Sequence, residues 1–261
     1  MNLDLKGKNA LVCGSTEGIG KTAAIELALL GANVTLLARN KESLEKTLGE
    51  LDSSKGQKHT CVIADYSKPD ELKKAVEGEA KKTTFHILVN NTGGPPGGPI
   101  INAKTEEFTT AFSNHLLCNH IVVQAVVEGM KTAGYGRIIN IISTSVKQPL
   151  KGLGVSNTIR AAVANWSKTL SLELAPFKIT VNNVLPGATS TLRLSSLLEA
   201  KSGKTGHSVE ELKQEMLNEI PLGRFAEAKE IAAAVAFLSS PAAAYITGIN
   251  VPVDGGRTGS L

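Results

Sequence analysis

Aromatic side chains are scarce in this chain, at 4% of 261 residues. Little is therefore available to stack on bases, and 28 Lys+Arg lie scattered among 24 Asp+Glu for a net charge of only +4. No nucleic-acid partner is expected from such a surface. Cysteine is as rare. Cys13, Cys61 and Cys118 are odd in number, far apart and without a CxxC pair. That pattern is neither a disulfide framework nor a zinc site, and the apolar runs around each thiol predict buried, reduced cysteines and no bound metal. Also missing is any apolar run near the roughly 20 residues that a bilayer-spanning helix needs. The opening stretch MNLDLKGKNALVCG has neither a long apolar segment nor a cleavage signal. These absences predict a protein of the reducing cytoplasm with no membrane contact.

What is present alternates. Apolar, β-branched runs suited to buried parallel strands fall at 9–13, 33–38, 59–64, 86–90, 137–142, 179–185 and 249–253. Helical patterns fall between them, at 19–30, 41–52, 70–82, 105–131, 158–175 and 228–239. Thr105-Glu106-Glu107 reads as a capped helix start with first-turn acids, and Pro241 follows the end of the last helix. Strand–helix alternation over the whole length predicts one domain, 1–261. The fold expected is a Rossmann-type α/β three-layer sandwich around a doubly wound parallel sheet of about seven strands. A chain of this size buries roughly 70–75% of its unfolded surface, so no disulfide or metal staple is needed. Two stretches break the rhythm. The glycine- and proline-rich 93–99 can be neither helix nor regular strand, and 187–225 is a long insertion, partly helical around 208–218. Both follow strand C-termini, where open α/β sheets bind ligands, so 187–225 is expected to be the substrate loop.

The first strand runs into Gly14-Ser15-Thr16-Glu17-Gly18-Ile19-Gly20 and then a helix. Glycines let the backbone turn tightly and approach a pyrophosphate without a Cβ in the way, and a helix N-terminus offers free N–H groups to the anion. A glycine turn placed after the first strand of such a fold predicts dinucleotide binding.

The spacing GxxxGxG resembles the glycine motif of the short-chain dehydrogenase/reductase family, and the resemblance spans almost the entire chain. Asp65 stands where that family contacts adenine. Asn90-Asn91-Thr92-Gly93 is similar to the family's NNAG, with Thr92 in place of alanine. Asn114 matches the catalytic-helix asparagine, and Gly136-Arg137-Ile138-Ile139-Asn140 leads into Ser143 at the catalytic-serine position. Pro186-Gly187 is followed by Thr191, where the nicotinamide carboxamide is usually held, and Asp254-Gly255-Gly256 matches the C-terminal DGG. The resemblance implies a nicotinamide cofactor bound by Gly14, Ser15, Thr16, Gly18, Ile19, Gly20, Asp65, Asn91, Gly93, Pro186, Gly187 and Thr191. It implies a small-molecule carbonyl or alcohol substrate, and the pattern resembles divergent members grouped beside the 3-oxoacyl-[acyl-carrier-protein] reductases.

Arg39, at the end of the second strand, decides the cofactor. An acid there would bind a ribose 2′-OH, whereas a guanidinium accommodates a 2′-phosphate. NADP(H) is favoured, with NAD(H) as the alternative because Glu17 places a carboxylate near the same region.

The family's proton donor is the tyrosine of a YxxxK pair, its phenol tuned by the lysine. Here those positions are Ser156 and Arg160. An aliphatic alcohol is a far weaker acid than a phenol, and an arginine keeps the positive charge and can hold ribose hydroxyls but cannot relay a proton. Ser143 and Asn114 remain to bind a substrate oxygen. Lys147 and His115 are candidate substitutes, each with a bland reading as a solvated or packed residue. Ser156, Asn157 and Arg160 are alternatively a recognition set for a polar or anionic group. Two functions follow: an NADP(H)-dependent oxidoreductase with an altered catalytic set of Asn114, Ser143, Ser156 and Arg160, or a nucleotide-binding sensor or partner subunit without turnover. The helices at 105–131 and 158–175 are too apolar for fully solvated outer faces, which with the resemblance predicts a homotetramer or a dimer.

Overall fold

A computed structural model describes residues 1–260. Seven strands form one parallel sheet: β1 (Asn9–Cys13), β2 (Asn33–Ala38), β3 (Thr60–Ile63), β4 (Ile87–Asn90), β5 (Gly136–Ile141), β6 (Ile179–Pro186) and β7 (Asn250–Val253). Their order is β3-β2-β1-β4-β5-β6-β7. The expected doubly wound sheet is therefore found, with its reversal of direction between β1 and β4. Successive residues of a strand face opposite sides. Ala10 and Val12 pack into one apolar layer with α1 (Gly18–Leu29) and α9 (Ala228–Ser239). Leu11 and Cys13 pack into the other, with α3 (Pro69–Ala80) and α5 (Cys118–Ala133). The remaining helices are α2 (Lys41–Leu48), α4 (Thr105–Phe112), α6 (Gly154–Leu174), α7 (Leu192–Thr205) and α8 (Val209–Asn218).

Polar side chains cross this apolar sheet at one level. Asn90, Asn140, Asn183 and Asn250 are register partners on β4, β5, β6 and β7. Each amide donates to the next: Asn90 Nδ2 to Asn140 Oδ1 at 2.9 Å, Asn140 Nδ2 to Asn183 Oδ1 at 3.0 Å, Asn183 Nδ2 to Asn250 Oδ1 at 2.8 Å. Ser167 Oγ on α6 accepts a further bond from Asn140 Nδ2 at 3.1 Å. Slipping any of these strands by one residue would leave buried amides unpaired, so the ladder specifies register where apolar side chains alone would tolerate alternatives.

Several element boundaries differ from expectation. The helix predicted at 105–131 is α4 and α5 joined through a π turn at Ser113–Leu117. Its start is not capped by Thr105: Lys104 is the N-cap residue, and the Thr105 hydroxyl donates to Glu106 Oε1 instead. The first-turn acids Glu106 and Glu107 are as predicted. α2 stops at Leu48, before Gly49, rather than at 52. α6 begins at Gly154 rather than 158. That glycine reads as a breaker in sequence but is demanded by packing, since a Cβ there would lie 2.5 Å from Ile100 Cβ. The 187–225 stretch contains two helices, of which only α8, around 208–218, was expected; it opens with a capping box of Ser208 and Glu211. Cys13 and Cys118 are buried, as expected, whereas Cys61 is only partly so; all three thiols are unpaired.

Replacing Asn140 by leucine removes partners from both Asn90 and Asn183 within the sheet. With each stranded buried group costing about 1–3 kcal/mol, the loss is about 3 kcal/mol, or a melting temperature lower by about 6–12 °C. A calorimetric melt checks this; an unchanged transition would show that the ladder does not hold the register.

Candidate functional site

The switch point between β1 and β4 carries the tightest backbone contacts of the region. Gly14 adopts φ +57°, and a Cβ there would lie 2.6 Å from the Asn91 carbonyl oxygen. A Cβ on Gly20 would lie 2.1 Å from the Gly14 carbonyl oxygen. Asn91 Nδ2 donates to that same carbonyl at 3.0 Å. The glycine turn is thus clamped to the strand beside it, and only glycine fits at either position. Buried Ser15 is tied to the Leu37 carbonyl through its hydroxyl at 3.3 Å. Thr16 and Ile19 are partly exposed along the turn. Glu17 occupies the N-cap of α1 but its side chain makes no capping bond, and the first turn of α1 holds no acid. The helix therefore presents N–H groups that no side chain caps, with the Glu17 carboxylate turned out to solvent as the one acid nearby, which suits an incoming pyrophosphate.

The next features along this edge belong to β6 and β7. Gly187 Nα donates to the Val253 carbonyl at 3.0 Å, and a Cβ on Gly187 would lie 2.7 Å from Asp254 Cα. Asp254 accepts from the backbone N–H groups of Gly256 and Thr258 at 3.0 and 2.8 Å. The DGG segment thereby backs the Pro186-Gly187 turn. Beyond it, Thr191 caps α7 by accepting from Leu194 N–H, and its methyl group faces Gly18, 3.3 Å from where a Cβ would stand. The insertion and the glycine turn therefore meet at Thr191. At the far end, Asp65 accepts from the Ser67 N–H at 2.9 Å. That bond, aided by the charge of nearby Arg39, holds the Asp65 carboxyl below its ordinary value. Arg39 itself is exposed and has no ion pair among the described residues.

The candidate chemical groups lie on the other side of the switch point. Ser143 follows β5 and its Oγ accepts from the Ser145 N–H at 3.1 Å. Asn114 sits in the π turn, partly exposed, where one extra residue per turn rotates the helix face. Ser156 and Arg160 are one turn apart on α6 and so share a face. Ser156 is partly exposed. Arg160 is 8% exposed, and its Nη1 donates to the Ile141 carbonyl at 3.1 Å. Burial, and then the nearby charge of Arg193, push its pKa down to about 10. Asn157 is not available to a ligand: its Nδ2 donates to the Leu150 carbonyl and its Oδ1 accepts from the Leu150 N–H, at 2.8 and 3.3 Å. It closes the loop ahead of α6 instead. Lys147 lies one residue beyond the short turn Thr144–Val146 and is partly buried.

No tyrosine stands in for the one absent at position 156. Tyr66 is partly buried with its hydroxyl enclosed beside Cys13, Tyr135 donates its hydroxyl to the Ser239 carbonyl at 2.8 Å, and Tyr245 is fully exposed. His115 is buried and hydrogen-bonded through Nδ1 to the Thr92 hydroxyl. Burial, with added repulsion from Arg160 and Arg193, pushes its pKa down to about 3, so the ring is neutral at physiological pH. The Thr92–His115 pair occupies the one position where the NNAG-like motif departs from alanine. Sequence reading singled out both residues but not their contact, which spans β4 and the π turn. It missed Arg193 altogether. Arg193 Nη2 donates to the Pro95 carbonyl at 2.7 Å and lies 3.1 Å from where a Gly94 Cβ would be. The available signal was a lone cation two residues beyond Thr191, in an insertion already placed at the cleft. No cluster of metal-ligating side chains occurs among the described residues, and none of the described helices is long and apolar enough to cross a membrane.

Comparison with known proteins agrees with this arrangement. The family model described as enoyl-(acyl carrier protein) reductase matches residues 14–258. The chain is 29% identical to the NADPH-dependent reductase BacG of Bacillus subtilis (strain 168), covering 97% of this chain and 99% of that protein. It is 34% identical to a 3-oxoacyl-[acyl-carrier-protein] reductase, FabG, of Pseudomonas aeruginosa, covering 97% and 98%. The crystal structure of L-sorbose reductase from Gluconobacter frateurii, complexed with NADPH and L-sorbose, superposes with a TM-score of 0.92 at 30% identity over 100% of both chains. The glycine turn, the parallel sheet and these matches together place the chain in the short-chain dehydrogenase/reductase family of oxidoreductases.

Proposed function

We propose that the protein is an NADP(H)-dependent oxidoreductase that interconverts a carbonyl and an alcohol with an atypical proton path. The observation that carries this reading is the juxtaposition of an intact dinucleotide cradle with Ser143, Asn114 and a buried Arg160, while every tyrosine is engaged or placed elsewhere. In this reading Gly14, Ser15, Thr16, Gly18, Ile19 and Gly20 hold the pyrophosphate at the start of α1. Asp65 contacts the adenine, and Arg39 holds the 2′-phosphate. Asn91, Gly93, Pro186, Gly187 and Thr191 hold the nicotinamide half, and Arg160 holds the ribose hydroxyls. The relatives named as NADPH-dependent or NADPH-bound support the phosphate form, with NAD(H) the alternative.

When bound, the nicotinamide supplies or accepts hydride. Ser143 and Asn114 position the substrate oxygen. Arg160 stabilises negative charge there but, permanently protonated at neutral pH, moves no proton; Ser156 and water are left to carry it. The segment 187–225 closes the cleft as a substrate loop within a single domain, and the protein works in the cytoplasm as a homotetramer or dimer. A second reading, a nucleotide-binding sensor or partner subunit without turnover, is favoured by the same Ser156 and Arg160, because they remove the usual proton donor while leaving the cradle whole.

Two outcomes test the reading. Arg39→Ala should weaken NADPH at least about tenfold, the worth of a charge-assisted pair of about 1.5–3 kcal/mol, and leave NADH unchanged. Calorimetric titration of both cofactors measures this, and equal wild-type affinities for the two would refute the assignment. Neutral ketones should be reduced slowly with NADPH, because a lost general acid costs about 10²–10⁴-fold in rate. Ser156→Tyr combined with Arg160→Lys should raise that rate by more than the product of the single changes, since the phenol needs the lysine to tune it. Steady-state NADPH oxidation reads the gain. Tight cofactor binding with no turnover in either form would favour the sensor.

A further inference from the structure

Two cations near the candidate site lack an anion. Arg160 is buried and Arg193 reaches over Gly94, yet each guanidinium is held only by a main-chain carbonyl, Ile141 O at 3.1 Å and Pro95 O at 2.7 Å. Neither has a carboxylate partner among the described residues. Every other arginine outside the cofactor edge has a settled environment. Arg224 pairs with Glu230, Arg257 pairs with Glu219, and Arg137 stacks on Tyr135, 4.1 Å from the ring centroid, while donating to backbone carbonyls. Around Arg160 and Arg193 the charge is one-sided. They repel each other, and both repel a proton from His115, which is held neutral on Thr92. The nearest acids on the neighbouring wall, Glu106 and Glu107, are exposed at the first turn of α4 and pair with neither arginine.

A buried guanidinium with no counter-ion, as at Arg160, is costly, and the charge of exposed Arg193 nearby adds to that cost. A planar anion offers both forks bidentate partners and removes the repulsion. The placement says which anion. Arg160 is anchored on the Ile141 carbonyl, two residues before Ser143, and Arg193 spans from the insertion to the Pro95 carbonyl on the loop after β4, so both charges belong to the end of the sheet that carries Ser143 rather than to the glycine turn. We propose that Arg193 and Arg160 form the receptor for a carboxylate on the substrate itself, which is therefore a short oxo acid or hydroxy acid with the carboxylate close to the reacting carbon. The inference rests on reading this cleft as a hydride-transfer site. The rival source of the same charge is a phosphate of the cofactor.

Oxamate, a carboxylate that mimics a 2-oxo acid, and oxamide, its neutral counterpart, separate these sources. Calorimetry on the protein saturated with NADPH should show oxamate binding and no oxamide binding. Arg193→Gln removes the charge together with the reach to the Pro95 carbonyl; it should weaken oxamate at least tenfold while NADPH affinity changes less than threefold. Arg193→Lys should recover part of the loss. Equal binding of oxamate and oxamide, no oxamate binding by the wild type, or oxamate binding insensitive to Arg193→Gln would each overturn the proposal. So would a parallel loss of NADPH affinity, which would assign Arg193 to the cofactor. Oxamate binding that behaves as expected in a protein unable to reduce any oxo acid supports the receptor and refutes the hydride-transfer reading alone, so the two failures are distinguishable.

Discussion

The asparagine ladder through β4, β5, β6 and β7 is the constraint on which the rest of the cleft depends. In a parallel sheet buried on both faces the apolar side chains of neighbouring strands are nearly interchangeable, so hydrophobic pattern fixes which strands pair more firmly than their relative register. Asn90, Asn140, Asn183 and Asn250 remove that freedom, because each buried amide finds its partner in one alignment only. Asn90 ends β4 and Asn140 is one residue from the end of β5, whereas Asn183 lies three residues before the end of β6 and Asn250 opens the four-residue β7. One residue after Asn90 comes Asn91; three after Asn140 comes Ser143; three after Asn183 comes Pro186; four after Asn250 comes Asp254. Fixing the ladder therefore fixes the relative heights of the residues that line the cleft edge.

A second clamp joins this half to the other. The Gly14 carbonyl receives Asn91 Nδ2 while Gly20 passes close enough to exclude any Cβ. Through this contact the register set between β4 and β7 is carried to β1 and the start of α1. The uncapped helix end and the residues beyond Ser143 consequently belong to one rigid edge, although they come from opposite wings of the doubly wound sheet.

Legibility in the sequence followed the range of the physics. The strand pattern, the glycine turn and the order of motifs were readable because period, glycine spacing and turn chemistry are local. The same holds for α8, whose capping box lies within four residues. What was not readable depended on partners distant in sequence. Gly154 reads as a helix breaker until Ile100 is seen to leave no room for a side chain. The π turn at Ser113–Leu117 has no composition that marks it. Asn157 looks like a binding residue, yet its amide is spent on Leu150. Arg193 looks like a free charge in a loop, yet it opens α7 and, though exposed, reaches the Pro95 carbonyl.

The replacement of Tyr and Lys by Ser156 and Arg160 changes what the site can do, rather than merely weakening it. A tuned phenol stabilises a reduced carbonyl by giving it a proton. A buried arginine gives no proton, but in a low-dielectric surround its charge acts strongly on a developing oxyanion. Partial burial also makes the electrostatics selective. In the proposed receptor, a neutral substrate leaves Arg160 and Arg193 without an anion, whereas an anionic one neutralises the pair and orders both forks. In the reading proposed here, recognition of charge takes over part of the work that proton donation performs elsewhere in the family. The neutral His115 fits that shift. Its ring is kept uncharged first by burial and then by the same arginines, so it adds a hydrogen bond that holds Thr92 and the loop after β4 without adding a third positive charge.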